Sequence, residues 1–352
     1  MNASRPRCGS ARRPRARPAG GFALVIVLWV LAALTVVAVS IAATVQSNSQ
    51  SVKLLRERLR AERAFLTTGS RLKVIGATSI ALPYSYLSGR GQVFLDGRVS
   101  RVSADETLVL QDGRGLLSLE QPADAAWQRF LVHCGATTDE AQRLQDTLAD
   151  YVDADSLRRL HGAERDDYRD TPLPPPRNAG LLSREELWRV LGWPEFRGRW
   201  EAAGCNDDVI TGEADEFNPN TAPLEVLLAH GWDELQARAL IDARRAGLPL
   251  QSGGLLDLGN GPNVMLRGGS LVGDRIRVRH WMAPLEWALQ YELQFTPSEP
   301  GGPWRMLEVR VVRSAPQRPQ PSGASDFPPL DFVATQQDSA RLNAVPTSPI
   351  GR

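Results

Sequence analysis

GGFALVIVLWVLAALTVVAVSIAATV, residues 20–45, is the stretch on which the reading of the whole chain turns. From Phe22 to Val45 no side chain is charged, and about 24 residues at a helical rise of 1.5 Å reach across a hydrocarbon core of about 30 Å. Six arginines (Arg5, Arg7, Arg12, Arg13, Arg15 and Arg17) precede it, with no acid among the first 21 residues. Basic flanks stay in the cytoplasm, so the chain after about residue 46 is expected on the far side of the membrane. A cleaved secretory signal would need a shorter apolar core and a better cleavage site than Ala42 and Ala43 offer, whereas a plain signal anchor needs neither.

Across 352 residues, Lys plus Arg number 41 and Asp plus Glu 40, for a net charge of +1. Without the six leading arginines that +1 becomes −5, so the body is mildly acidic and gives no electrostatic case for coating nucleic acid. With 42% hydrophobic and 23% charged residues it has the composition of a folded protein.

Residues 46–75 continue as a polar helix, with Val52, Leu55, Leu59 and Leu66 spaced for one apolar stripe. Short apolar segments at 92–95, 107–110 and 116–119, separated by Asp96-Gly97 and Asp112-Gly113, read as small antiparallel strands joined by turns. Helical periodicity returns at 124–133, 139–151, 184–190 and 223–246, and strand patterning at 275–281, 286–295 and 305–312. Strands, a helical block and strands again imply an α+β head in which one sheet is split by an inserted all-α domain. From Ser314 onward Pro, Ser, Gln and Gly dominate, and a flexible tail is expected. Ser183, with Glu186 three residues on, reads as a capped helix start.

The densest chemistry lies in Asp150-Tyr151-Val152-Asp153-Ala154-Asp155, followed by Gly162-Ala163-Glu164-Arg165-Asp166-Asp167-Tyr168. Carboxylates so crowded repel one another unless water or a hard cation relieves them, and oxygen ligands suit Ca²⁺. The spacing is not that of an EF-hand, so a solvated acidic turn and a metal site both remain open. Asn218 to Arg244 resembles a helix-hairpin-helix unit, with Thr221 as cap of its first helix and Pro223 in its first turn. A DNA-binding version needs a second Gly in the turn, whereas His230-Gly231-Trp232-Asp233-Glu234 places two acids there, which disfavours phosphate. Cys134 and Cys205 would face an oxidising compartment, as one disulfide or as two buried thiols. Gly268-Gly269-Ser270-Leu271-Val272 fails the nucleophile-elbow pattern at its last position, and Gly259-Asn260-Gly261-Pro262 lacks a dinucleotide loop's third Gly. No catalytic centre is indicated, and the chain is expected not to be an enzyme.

The junction Ala19-Gly20-Gly21-Phe22, where a basic leader meets an apolar helix, resembles a type IV prepilin leader. That resemblance implies cleavage between Gly21 and Phe22 by a prepilin peptidase, followed by methylation of the new amine. Pilins and most pseudopilins carry Glu at the fifth mature position, whereas this chain has Ile26, as is typical of the type II secretion protein K family of minor pseudopilins. The ordered series from Gly21-Phe22 through Asp150–Asp155 (Tyr151 where Trp is more usual) and Gly162-Ala163-Glu164 to Asn218-Pro219-Asn220-Thr221-Ala222 is similar to that family's motifs. The implied organisation is a leader (1–21), transmembrane stalk helix (22–45), amphipathic stalk (46–75), first part of a pilin-like α/β head (76–120), inserted helical domain with the helix-hairpin-helix-like unit (121–268), second part of the head (269–313) and tail (314–352). It also implies calcium held by candidates Asp153, Asp155, Glu164, Asp166 and Asp167. The location implied is the inner membrane, with the N-terminus cytoplasmic and the head periplasmic. The implied role is at the tip of a pseudopilus, beside I and J type minor pseudopilins and above the major pseudopilin, where assembly for export of folded proteins begins, with no nucleic-acid partner. A membrane-anchored DNA receptor and an anchored periplasmic metal-dependent hydrolase are the alternatives.

Overall fold

In the computed structural model of the chain, the residues described are 21–212, 216–249, 255–256, 264–265, 271–283, 285–313 and 325–328. Residues 1–20 of the expected leader (1–21) and most of the expected tail (314–352) lie outside them. Two compact units are distinguished, residues 1–62 and 63–352.

The uncharged run opens a single long helix, α1 (Gly21–Thr78). In the first unit its large apolar side chains from Leu24 to Val45 are exposed, and this is the one helix among the described residues long and apolar enough to cross a membrane. Its few hydroxyls are compatible with such a setting. Thr35, Ser40 and Thr44 donate to carbonyls three or four residues earlier, at 2.8–2.9 Å, so no donor is left bare. Farther on, the polar half is laced by Lys53–Glu57 and Arg58–Glu62 pairs at i,i+4.

In the second unit the last turns of α1 lie on a six-stranded sheet. The head begins with β1 (Ile80–Ala81), β2 (Ser85–Ser88) and β3 (Gly91–Phe94), a small antiparallel sheet, then β4 (Asp96–Arg101) and β5 (Glu106–Asp112). After β6 (Leu117–Ser118) come α2 (Ala125–His133), α3 (Thr138–Val152), α4 (Trp193–Ala202), β7 (Val209–Ile210), α5 (Leu224–Ala229) and α6 (Glu234–Arg245). A short pair, β8 (Leu255–Leu256) and β9 (Val264–Met265), precedes β10 (Arg275–Met282), β11 (Trp287–Phe295), β12 (Trp304–Arg313) and β13 (Ser325–Asp326). The main sheet runs β12-β11-β10-β5-β4-β13, antiparallel except for β13 on β4. Because β10 pairs with β5, strands from before and after the helical region share one sheet, the α+β arrangement expected from the sequence.

One face of this sheet packs under α1. Leu72 and Ile75 bury against Leu108, Leu110, Ile276, Val278 and Leu293. The approach is close enough that a Cβ on Gly76 would stand 1.9 Å from the Phe295 ring, so only glycine fits there. Thr68 donates to Glu106, whose Oε1 also lies 2.6 Å from His280 Nε2, tying helix to sheet beneath the edge-on Phe65 ring. The other face is polar and meets the helical region. Glu292, fully buried, is paired with Arg275 at 2.7 Å, Arg277 at 3.4 Å and Arg184 at 3.9 Å. Burial would push the Glu292 pKa up, but the guanidinium groups of Arg277, Arg275 and Arg184 outweigh it and hold it low. The helical region has its own core of Trp127, Phe130, Leu148, Trp193, Phe196 and Trp200, with the Trp193 indole N–H donating to the Leu144 carbonyl at 3.0 Å.

Several local expectations fail for identifiable reasons. Asp96-Gly97 is not a turn but the irregular start of β4, because the Asp96 carboxylate is buried and held by Arg98 at 2.7–2.8 Å. Ser183 makes no cap. Its helix is a single 3₁₀ segment, and Glu186 reaches back instead to the Leu182 N–H and to Arg177. Thr221 does not cap α5, whose N-cap is Pro223, since its hydroxyl is committed to Asp112 at 2.9 Å. Within the expected flexible tail, 325–328 is ordered: β13 pairs with β4, and Phe327 buries in the core under α1.

Cys134, the C-cap of α2, and Cys205, just before β7, form a disulfide across 71 residues with Cα atoms 6.1 Å apart. Closing a loop of that length restricts the unfolded chain by about 4 kcal/mol in the chain-entropy view. Replacing both cysteines by Ser should therefore lower the stability of the head by about 2–5 kcal/mol, read as an earlier urea midpoint. An unchanged midpoint would mean that the aromatic core alone fixes the helical region.

Candidate cation site and helical hairpin

Helix α3 starts at a reciprocal cap between Thr137 and Glu140 and ends at Asp153, its C-cap. A helix C-terminus carries partial negative charge, so Asp150, Asp153 and Asp155 gather where carboxylates are least welcome. One relief is internal. Arg159 bridges Asp150 and Asp153, with Nη1 2.6 Å from an oxygen of each, and its backbone N–H donates to Asp150 at 3.1 Å. Asp150 is wholly buried, and a Cβ on Gly162 would fall 1.8 Å from its Oδ2, which is why a glycine follows the loop at that point.

Beyond that bridge the loop returns Ala163 into the core and Glu164 to the acidic cluster. One carboxylate oxygen each from Asp153, Asp155 and Glu164 lies within 4.8 Å of the others, a group able to hold a cation. Asp153 Oδ1 and Glu164 Oε1 are buried with no hydrogen-bond donor. Burial first, and then the charges of Asp150, Asp153 and Asp155, raise the Glu164 pKa. Two orphaned acceptors and a third, exposed carboxylate oxygen match the hard, oxygen-only ligation that Ca²⁺ takes.

The other two sequence candidates stand apart from this group. Asp167 accepts from Arg158 at 3.0 Å and from the Glu164 N–H at 2.9 Å, closing the 3₁₀ turn 165–168. Asp166 is exposed and paired with Arg169 at 2.6 Å. Tyr151 is buried, its hydroxyl donating to Glu186 at 3.2 Å, and Tyr168 accepts the Leu191 N–H at 3.0 Å. The two side chains thereby fix the loop to the segment 184–191, which holds the 3₁₀ turns 184–189. Gly162 stands with Ala163 and Glu164 in the sequence motif, whereas Arg159, one of the adjacent pair Arg158-Arg159 amid the acids, was not singled out.

The hairpin of α5 and α6 turns at Gly231, with φ +90. Its preceding motif is a structural knot. Asp112, fully buried, accepts from Thr221 Oγ1 at 2.9 Å, Asn218 Nδ2 at 3.2 Å and the Gly273 N–H at 3.0 Å. Burial raises its pKa despite these donors. Arg244, which a phosphate-binding hairpin would turn outward, is buried and donates to the carbonyls of Ala222 at 2.7 Å and Asn220 at 3.1 Å. The processing and assembly candidates lie on α1: Gly21 and Phe22 at its first positions, and Ile26, 47% exposed, one turn later.

Residues 106–196, which run from β5 through the acidic loop into α4, match the family model described as type II secretion system (T2SS), protein K. No curated protein sequence matches the chain. Among solved structures, a chain of the GspK-GspI-GspJ complex from the enterotoxigenic Escherichia coli type 2 secretion system is similar in fold, with a TM-score of 0.50 and 15% identity, over 74% of this chain and 99% of that one. Residues 106–196 thus resemble protein K of the type II secretion system, and the chain shares its fold with a chain of the GspK-GspI-GspJ complex.

Proposed function

We propose that this chain is a minor pseudopilin that stands at the tip of the periplasmic pseudopilus and helps start its assembly for export of folded proteins. The observation that carries the reading is the protein K match on residues 106–196 in a chain that also has one exposed apolar helix. The fold shared with a chain of a GspK-GspI-GspJ complex supports partners of the I and J types; the major pseudopilin is proposed to lie below them. In this reading the chain crosses the inner membrane once, head in the periplasm, and catalyses no reaction. A prepilin peptidase cuts between Gly21 and Phe22 and methylates the new terminus. Ile26 offers no carboxylate to the amine of a subunit ahead, so the chain begins a fibre more readily than it extends one.

Asp153, Asp155 and Glu164 are proposed to hold Ca²⁺, which supplies positive charge to an otherwise repelling cluster and so stabilises only the folded loop. Asp166 and Asp167 are left to their arginine partners.

Intact mass and N-terminal sequencing of membrane-extracted protein should find a methylated Phe22 terminus, and Gly21→Leu should retain the leader. A terminus beyond Ala43 would sink the pseudopilin reading. In overproduced pseudopili, immunogold label should sit only at fibre ends, and regular label along the shaft would exclude the tip.

For the cation site, melting of the head in Ca²⁺ and in chelator should differ by about 2.7 kcal/mol when the ion is a hundredfold above its Kd. Asp153→Asn with Asp155→Asn should erase most of that difference. Glu164→Gln should raise stability in chelator, because it removes repulsion, and should lose the gain from Ca²⁺. Coincident wild-type curves would leave the loop a solvated acidic turn.

A further inference from the structure

Strand β12 is an edge of the main sheet, hydrogen-bonded to β11 alone among the described strands. Its register shows which way its side chains point. Trp304 lies opposite Phe295, Met306 opposite Leu293 and Val311 opposite Leu289, all three of which line the core under α1. An extra residue between the pairs at Gln290 and Glu292 puts Val309 on that same face. Phe295 and Leu293 are buried there, yet Trp304, Met306, Val309 and Val311 are 38–62% exposed. The cause is width. Helix α1 lies over β11, where Gly69 and Gly76 face Tyr291 and Phe295. A helix about 10 Å across covers about two strands spaced 4.8 Å apart. Beyond it β12 projects as an apolar ledge, with the Lys73 ammonium 5.5 Å from the Trp304 ring at its inner side. Leu66, 71% exposed, stands two turns earlier on the same side of α1.

We propose that this ledge seats an amphipathic helix from another pseudopilin chain, laid alongside α1 with an aliphatic face on Val309 and Val311 and a carboxylate toward Lys73. Helix axes pack 8–10 Å apart, about two strand spacings, so a helix beside an α1 that lies over β11 is centred about one spacing outside β12 and rests its inner side on that strand. The strip is about 23 Å long at a strand rise of about 3.3 Å, equal to about four helical turns. Its apolar area is on the order of 350 Å², as large as the biggest patch a monomer ordinarily exposes but about half of what each side of a stable complex buries. The occupant must therefore also touch α1, as a helix does at Leu66 and an added edge strand would not. This proposal rests on the reading that the chain assembles with I and J type partners, and deepens it.

The test uses the full chain in detergent with the I and J type pseudopilins of its own system as probes. Val309→Asp with Val311→Glu should weaken association roughly tenfold or more, while Leu235→Asp, at an 81% exposed site on α6, should not. A Val311→Cys thiol should be shielded from alkylation when the two partners are added, which reads the ledge even if the charged variant folds poorly. Full association by the charged variant, or an unshielded thiol in the complex, overturns the ledge as the seat. Failure of the wild-type chain to bind either partner overturns the assembly reading instead, and this occupant with it. A thiol that becomes reactive only when residues 329–352 are deleted, or only on dilution of the chain alone, names its own tail or a second copy as occupant and equally overturns the proposal.

Discussion

Glu292, in the middle of β11 and with none of its surface exposed, is the constraint around which the second unit is arranged. An uncompensated carboxylate there would cost several kcal/mol, and three guanidinium groups converge on it. Two, Arg275 and Arg277, come from the adjacent strand β10, while Arg184 must come from the helical region, 108 residues earlier in the chain. Arg184 in turn needs its own acid. The residue that supplies it, Glu308, has φ +51 beside the β12 bulge, an unfavourable conformation for a side chain, and its carboxylate takes the Arg184 N–H at 2.6 Å and Nε at 2.9 Å. Arg277 and Arg279 reach from the sheet to the Asp207 carbonyl and carboxylate, which brings the Cys205 turn beside the strands. Satisfying one buried charge thus dictates where the helical region sits.

The same rule governs the acidic loop on a smaller scale. Asp150 is buried because Arg159 and its backbone N–H complete its bonds, and this leaves Asp153 and Glu164 each with an oxygen that no described residue satisfies. The contrast with Asp166 and Asp167 is instructive. All five acids looked alike as a cluster in the sequence, but Asp166 and Asp167 turn to Arg169 and Arg158, whereas Asp153, although one of its oxygens meets Arg159, keeps the other with Asp155 and Glu164.

Features carried by period were legible in the sequence. The alternation around Val278 and Leu293 marked the sheet, and the apolar run from Phe22 marked the start of helix α1. The Cys134–Cys205 pairing was left open against two thiols, and the structure closes it. What escaped depends on partners distant in the chain. Thr221 had the chemistry of a cap, yet a buried Asp112, 109 residues away, competes more strongly for its hydroxyl. Ser183 lost its role because Glu186 is claimed by Tyr151 and Arg177. Helix α4 went unread since Pro194 and Gly198 lower its local propensity, while Trp193, Phe196 and Trp200 supply a tertiary core that overrides it.

A seam made of arginines and carboxylates holds its two sides in one orientation but adds little net cohesion, since desolvation offsets most of the attraction. The helical region must therefore keep itself together by other means. It has an edge-on cluster of Trp127, Phe130, Trp193 and Trp200 with ring centroids 5.6–5.8 Å apart, and a disulfide. The acidic loop lies at the rim of that region, fastened through Tyr151 and Tyr168 to segment 184–191, which also carries Arg184 into the seam. Charge added to or removed from the loop thus acts on the same segment that fixes the helical region to the sheet. Within the second unit, that connection links the ionic state of the loop to the seating of the helical region on the sheet.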